Sequence, residues 1–306
     1  MILVTGATGF VGQTVCRLLD ARGHKYAKTS LTLGCDLRDR EAARALFGQV
    51  QPLYVLNCAA FVGGISYGYK YPVELFKNNL LMTINLMDCC HEFQVKRLVN
   101  PISNCAYPAA ATLFKESEFW NGPLHESVLV YGFARKAAWI GSWAYQQQHG
   151  VDSINLIVSN MYGPGDHFDE SRSHALGALI MKFCKAVKEK QKQVIVWGTG
   201  KPVREWLYVD DGADALIRGL DMPSRIDPIN IGVASGIAMC ELAEHLKKKT
   251  GFKGDIVYDP SKPDGAPHKT VDGSVGKKIM NWSPPTALDA GIDQTIDWYS
   301  KHERTK

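Results

Sequence analysis

Short apolar runs alternate with amphipathic stretches through the first half of the chain. Ile2–Thr5 is a continuous apolar run of the buried-strand type. The positions from Phe10 to Arg22 then follow helical spacing and are closed by Gly23. The pattern repeats: a strand over Lys25–Thr29, a helix after Asp39, a strand over Tyr54–Asn57, and a long helix from Pro72 to Phe93 whose apolar face carries Leu80, Leu81, Ile84 and Leu86. A strand Arg97–Ile102, a helix around Tyr131–Gln148 and a strand Ser153–Val158 complete the series. Strand and helix in strict alternation predict an α/β fold, a parallel sheet with helices on both faces.

Beyond Tyr162 the alternation weakens. Gly163-Pro164-Gly165 interrupts the chain, after which a helix is predicted over Ala175–Lys188 and a strand over Val194–Trp197. A short strand at Ile256–Tyr258, a loop from Asp259 to Lys269 and a helix near Leu288–Tyr299 suggest a smaller lobe. The expected division is a first domain over 1–162 and a second, mostly substrate-binding lobe over 163–306, with 194–232 returning in part to the main sheet.

Gly6-Ala7-Thr8-Gly9-Phe10-Val11-Gly12 follows the first strand directly and opens the first helix. Glycines there permit a tight turn and let backbone N–H groups and a helix N-terminus approach a pyrophosphate. In this strand–turn–helix context the motif predicts a Rossmann-type, doubly wound dinucleotide site at Gly6, Thr8, Gly9, Phe10, Val11 and Gly12. The second strand ends Lys28-Thr29-Ser30 without the carboxylate usual in NAD sites. Lys28 is suited to a 2′-phosphate, which favours NADP over NAD, and Asp36-Leu37 lies where the adenine would be flanked.

At 306 residues, 45% apolar, the chain has enough to bury a sizeable core. Its formal charge of +4 is spread without long runs of one sign, which gives no reason to expect nucleic acid. No apolar stretch approaches membrane-spanning length. Met1–Val4 runs straight into the glycine motif, and the eight cysteines show no C-x-x-C spacing, so a cytoplasmic protein with reduced thiols is expected.

The strand ending near Ile102 delivers Ser103-Asn104-Cys105-Ala106-Tyr107-Pro108, and side chains at the carboxyl end of a parallel strand open onto the ligand crevice. Ser103 and Tyr131 form a candidate pair for polarising a substrate carbonyl. Four residues after the tyrosine comes Arg135, on the same helix face, whereas Lys136 points about 100° away. A cation beside a phenol favours its anion, so Arg135 is expected to serve where a lysine is usual. Cys105 shares the extended face of Ser103. A thiol near a ketone can move an α-proton if a second group serves the opposite face, and His174 is the candidate for that group.

Taken together, these segments resemble extended short-chain dehydrogenase/reductases, and within them the GDP-L-fucose synthases. The resembling stretches are Asn57-Cys58-Ala59-Ala60-Phe61-Val62-Gly63-Gly64-Ile65, Ser103–Pro108, Ser159–Phe168, Val196–Gly200, Arg204–Asp211 and Lys262-Pro263-Asp264-Gly265, in order along nearly the whole chain. The resemblance implies epimerisation at C3 and C5 of a GDP-4-keto sugar, with Cys105 and His174 as base and acid. It also implies reduction at C4 with NADPH, in which Ser103 and Tyr131 act on the C4 oxygen and Arg135 occupies the lysine position. By position, Ala59, Ala60, Tyr131, Arg135, Asn160, Met161 and His174 would also contact the cofactor. Ser103, Asn160, Lys182, Trp197, Arg204 and Asp264 would contact the substrate. A homodimer built on a four-helix interface is implied as well. Three departures stand out: Arg135 for lysine, Asn104 for a second serine, and Thr8 for the arginine common in the glycine loop. The alternatives are an enzyme performing only the reduction or only the epimerisation, on a deoxysugar or heptose, and a dinucleotide-binding regulator without catalysis. A regulator would need none of Ser103, Cys105, Tyr131 and His174.

Overall fold

The computed structural model describes residues 1–169 and 173–303. Six strands form one sheet, in the spatial order Ile229–Ile231, Ser153–Val158, Arg97–Ser103, Tyr54–Asn57, Ile2–Thr5 and Tyr26–Lys28. Every neighbouring pair is parallel. The apolar runs read as strands because both faces are covered. Phe10–Ala21 and Val209–Arg218 pack on one side, around Val15, Leu19, Ala213 and Leu216. Arg40–Val50, Pro72–Glu92 and Leu129–His149 cover the other. From Ile2–Thr5 the chain steps outward to Tyr26–Lys28, then crosses back to Tyr54–Asn57 on the opposite side. That reversal opens a crevice at the carboxyl ends of the strands, where ligands of such sheets bind.

A row of buried polar side chains fixes the register of the four central strands. Thr5 Oγ1 donates to Asn57 Oδ1 (2.7 Å), and Asn57 Nδ2 donates to Asn100 Oδ1 (2.9 Å). Asn100 Nδ2 donates to Ser142 Oγ (3.3 Å), whose hydroxyl donates to Asn155 Oδ1 (3.1 Å). A one-residue slip would leave these groups buried without partners, at a cost of about 1–3 kcal/mol each.

The smaller lobe packs helices Ala175–Lys188, Met239–Thr250 and Leu288–Glu303 against a parallel pair, Gln193–Trp197 and Asp255–Asp259. Of the stretch 194–232 expected at the main sheet, only Ile229–Ile231 joins it as a strand, while Val209–Arg218 covers its face. Gln193–Trp197 belongs to the lobe, because its alternate residues Val194 and Val196 are buried in the lobe's core. The expected loop 259–269 ends in a short strand, His268–Lys269, paired parallel with Val203–Arg204, which in turn pairs antiparallel with Ile237–Ala238. These two-residue strands roof the crevice.

Candidate active site

A cavity of about 950 Å³ runs along the carboxyl ends of the sheet beneath the smaller lobe. Every residue singled out above as a site candidate lines it except Gly12 and Lys28. Gly12 is packed against the first strand: a Cβ there would sit 2.1 Å from the Gly6 carbonyl oxygen, so its role is close helix–strand contact. Lys28 does not line the cavity. It shares a strand face with Tyr26, whose hydroxyl is bonded to Asp20 and to the Cys16 carbonyl on the first helix, and its ammonium lies over the Tyr26 ring at 5.4 Å. Strand alternation thus puts Lys28 on the sheet face that carries the first helix.

At the dinucleotide end, Gly6 has φ +60°, and a Cβ on it would lie 2.5 Å from the Cys58 carbonyl oxygen. Gly9 begins helix Phe10–Ala21 without a side-chain cap, and the first turn contains no acid. Its N–H groups are therefore free for an anion. Beyond lies a cluster of three hydroxyls. Thr8 Oγ1 is 2.9 Å from Ser30 Oγ and 2.8 Å from Thr32 Oγ1, and the latter two are 3.0 Å apart. Arg38 grips Asp36 with Nε at 2.8 Å from Oδ1 and Nη2 at 2.6 Å from Oδ2, which holds the Asp36 carboxyl below its usual range. The glycine loop, the uncapped helix and a polar far end fit a dinucleotide.

In the middle of the cleft, Ser103 closes its strand and its Oγ accepts from the Cys105 N–H (3.2 Å), which turns Asn104–Ala106 into a 3-10 turn. The hydroxyl hydrogen of Ser103 stays free to donate. Helix Leu129–His149 presses directly on that turn: a Cβ on Gly132 would be 2.3 Å from the Cys105 carbonyl oxygen. Only glycine after Tyr131 allows the tyrosine and the cysteine to approach so closely. Arg135 is buried, its guanidinium 5.1 Å from the Tyr131 ring centre, and Nη2 donates to Asn79 Oδ1 at 3.2 Å. Its Nε has no partner among the described residues. Asn79 in turn clamps Phe61 through both its N–H and its carbonyl, tying Arg135 to the loop after Tyr54–Asn57. Lys136 faces elsewhere, its ammonium 4.9 Å from the Phe119 ring and 4.4 Å from Trp120.

His174 caps helix Ala175–Lys188, and its Nδ1 is buried without a partner among the described residues. Burial, and then the charge of Lys269, push its imidazole below the ordinary range. The Lys269 ammonium donates to Cys105 Sγ at 3.3 Å. Nearby, burial pushes Asp166 up to about 7, and one of its carboxylate oxygens has no hydrogen-bond partner among the described residues.

At the lobe end, Arg204 is pushed down to about 10 by burial, its guanidinium bonded to the carbonyls of Val203 (2.8 Å) and Asp264 (3.0 Å). The Asp264 carboxylate accepts from Thr199 N and Oγ1, both at 2.7 Å, which shapes the 198–200 turn. Lys182 donates to the Ile195 carbonyl and, with Lys262, lies over the half-exposed Trp197 ring, at 5.1 and 5.6 Å. Asn160 Nδ2 donates to the Glu205 carbonyl (2.9 Å). The sequence reading had passed over Lys269, Asn79, Asp166 and the Ser30–Thr32 hydroxyls. Lys269 sits on a two-residue strand too short to show periodicity, and Asn79 is one polar position inside a long amphipathic helix.

The cleft is therefore lined by a glycine loop with an uncapped helix N-terminus, by the hydroxyls of Ser103 and Tyr131, and by the Cys105 thiol and the His174 imidazole. That set suits hydride transfer and proton transfer at a carbonyl. Residues 2–232 match the model of the NAD dependent epimerase/dehydratase family. GDP-L-fucose synthase 1 of Arabidopsis thaliana is 37% identical over 302 residues, 98% of this chain and 93% of that protein. GDP-L-fucose synthase of Escherichia coli (strain K12) is 31% identical over 312 residues, 99% and 97% of the two chains. Among solved structures, a GDP-6-OMe-4-keto-L-xylo-heptose reductase from C. jejuni superposes with a TM-score of 0.92 at 26% identity, over 98% of this chain and 97% of that one. A GDP-L-fucose synthetase from Naegleria fowleri bound to NADP gives 0.89 at 28%, over 99% and 95%. The chain belongs to the NAD dependent epimerase/dehydratase family, in the branch that holds the GDP-L-fucose synthases.

Proposed function

We propose that the protein is an NADP-dependent epimerase/reductase acting on a GDP-4-keto sugar. One observation carries this reading: Gly132 lets the helix bearing Tyr131 touch the turn bearing Cys105, so an oxygen-directed acid and a carbon-directed base share one cavity with the glycine loop. The dinucleotide would lie on Gly6, Gly9 and the N-terminus of Phe10–Ala21, with its ribose end toward Thr8, Ser30, Thr32 and Arg38. When bound, NADPH supplies the hydride for reduction at C4.

The protein's own groups do the rest. Cys105 takes the proton from the carbon next to the C4 carbonyl, and the C–H electron pair moves onto the carbonyl oxygen. Ser103 and Tyr131 donate to that oxygen and stabilise the enediolate. His174 returns a proton on the opposite face, completing epimerisation. In the reduction Tyr131 gives its proton to the C4 oxygen, and the Arg135 guanidinium stabilises the negative charge left on the phenol. Arginine cannot relay a proton as lysine can, so its contribution is electrostatic. Lys182, Trp197 and Arg204 offer two cations and an indole for the nucleotide and its diphosphate. A homodimer is proposed through helices Pro72–Glu92 and Leu129–His149, which leave Val73, Phe76, Ile84, Phe133 and Ile140 exposed. Eight free cysteines suit a reducing, cytoplasmic setting.

The test is incubation with NADPH and a panel of 4-keto nucleotide sugars in deuterated water. Loss of nicotinamide absorbance together with deuterium at the carbons flanking C4 is expected for a GDP sugar. Neither signal with any member of the panel would refute the proposal. A second reading, reduction at C4 without epimerisation, is favoured by the fit to the heptose reductase. It predicts absorbance loss with no deuterium at those carbons.

A further inference from the structure

Lys269 is 7% exposed, and no carboxylate lies within ion-pair range of its ammonium among the described residues. A buried ammonium without an anion is costly. Its one hydrogen bond among the described residues runs to Cys105 Sγ, at 3.3 Å. The backbone on both sides is locked. Lys269 is in register with Arg204, its carbonyl accepts from Glu205 N (2.9 Å), and the Thr270 carbonyl accepts from Phe114 N (2.8 Å). Cys105 is held from the other side by Gly132. The charged and titratable groups around the pair are few. Arg204 is a second buried cation, hydrogen-bonded among the described residues to backbone carbonyls only. Glu205 lies on the next residue but spends its carboxylate on the Val233 and Val271 N–H groups. His174 is held toward its neutral form. Among the described residues, Cys105 Sγ is the polar side-chain group that meets the ammonium.

We propose that Lys269 is a positioning residue that keeps Cys105 as a thiolate, with Sγ aimed into the cleft as the carbon base. This rests on the reading of Cys105 given above, and it deepens that reading by naming the cation the base depends on. The proton budget closes simply: the thiolate takes the carbon-bound proton and becomes a thiol, and the ammonium keeps its own proton throughout.

The test is alkylation of Cys105 by iodoacetamide in the free protein, followed by peptide mass spectrometry. Peptide resolution is needed because the other thiols differ in burial; burial pushes those of Cys16, Cys35, Cys58, Cys89 and Cys90 up. An opposite charge at this range is expected to change the rate at pH 7 by about tenfold or more. Lys269→Met should slow the reaction by that factor and restore it as the pH is raised, whereas Lys269→Arg should stay within a few-fold of the parent. If the Met variant fails to fold, the parent's own profile decides. It should be flat from pH 7 to 9, while an unassisted thiol climbs steeply with pH. An unchanged rate in Lys269→Met, or a steep climb in the parent, would overturn the ion pair. This readout uses no sugar, so a failure of the sugar panel would remove the proposed function and leave the ion pair standing.

Discussion

Tyr131, Arg135 and Lys136 show how far side-chain direction decides chemistry. Helical spacing places Arg135 on the tyrosine's face and Lys136 off it, and the structure has a guanidinium 5.1 Å from the Tyr131 ring while the neighbouring ammonium sits over Phe119 and Trp120. Tyr131→Phe removes the proposed proton donor for the C4 oxygen. NADPH oxidation should fall by about 10²–10⁴-fold, as measured by the steady-state decay of nicotinamide absorbance. Arg135→Met should lose reduction or cofactor binding, while Arg135→Lys should keep measurable turnover, because an ammonium supplies the same charge. An unaffected Met variant would show the position to be inert. Lys28 marks the limit of reasoning from one residue. Its charge and its place after the second strand suggested a phosphate contact, but the face it occupies is set by Tyr26 packing onto the first helix, a tertiary fact that spacing alone does not contain.

Whole elements were legible in proportion to their length. The strands Ile2–Thr5, Tyr54–Asn57, Arg97–Ser103 and Ser153–Val158 are largely buried, so each appears as a mostly apolar run, interrupted by the polar row of Thr5, Asn57, Asn100 and Asn155. Val203–Arg204, Ile237–Ala238 and His268–Lys269 have two residues each and no period to read, and so the roof of the cleft and Lys269 escaped notice. In the proposed placement of the dinucleotide, the turn after the second strand meets its ribose end with hydroxyls, so Thr32→Asp should repel a 2′-phosphate there and shift the ratio of NADPH to NADH dissociation constants toward NADH by about tenfold. An unchanged ratio would place the phosphate elsewhere. Asp166, packed against the first turn of Ala175–Lys188, is raised by burial to about 7. Its folded value exceeds the unfolded one, so its contribution to stability is full below about pH 4 and is lost as the pH rises through about 7. Asp166→Asn should therefore gain in Tm relative to the parent on going from pH 5 to pH 8, by at least about 2 °C. Equal differences at both pH values would show that the carboxyl is not protonated in the fold.

On the scale of the whole molecule, one chain brings two kinds of proton chemistry to a single crevice. The main sheet supplies the dinucleotide loop, Ser103 and Tyr131, and the smaller lobe closes over them with His174, Arg204 and Lys269. No helix among the described residues is long and apolar enough to cross a membrane. The exposed apolar face on Pro72–Glu92 and Leu129–His149 predicts a dimer. Light scattering should give twice the 33.8 kDa chain mass, and Phe133→Glu should reduce it toward the monomer. The pH behaviour follows from His174: its imidazole is held below the ordinary range, so the acid form needed to return a proton grows as the pH falls. Deuterium uptake measured at a series of pH values should therefore increase on the acidic side of neutrality, and a profile with no such increase would argue against His174 as the acid. In the proposed reaction carbon and oxygen are handled by different residues, and following both signals in Cys105→Ser tests that division. A hydroxyl is no usable base at neutral pH, so deuterium uptake from solvent next to C4 should stop, while a ketone already in the product configuration is still reduced with NADPH. Persistent deuterium uptake in that variant would contradict the account.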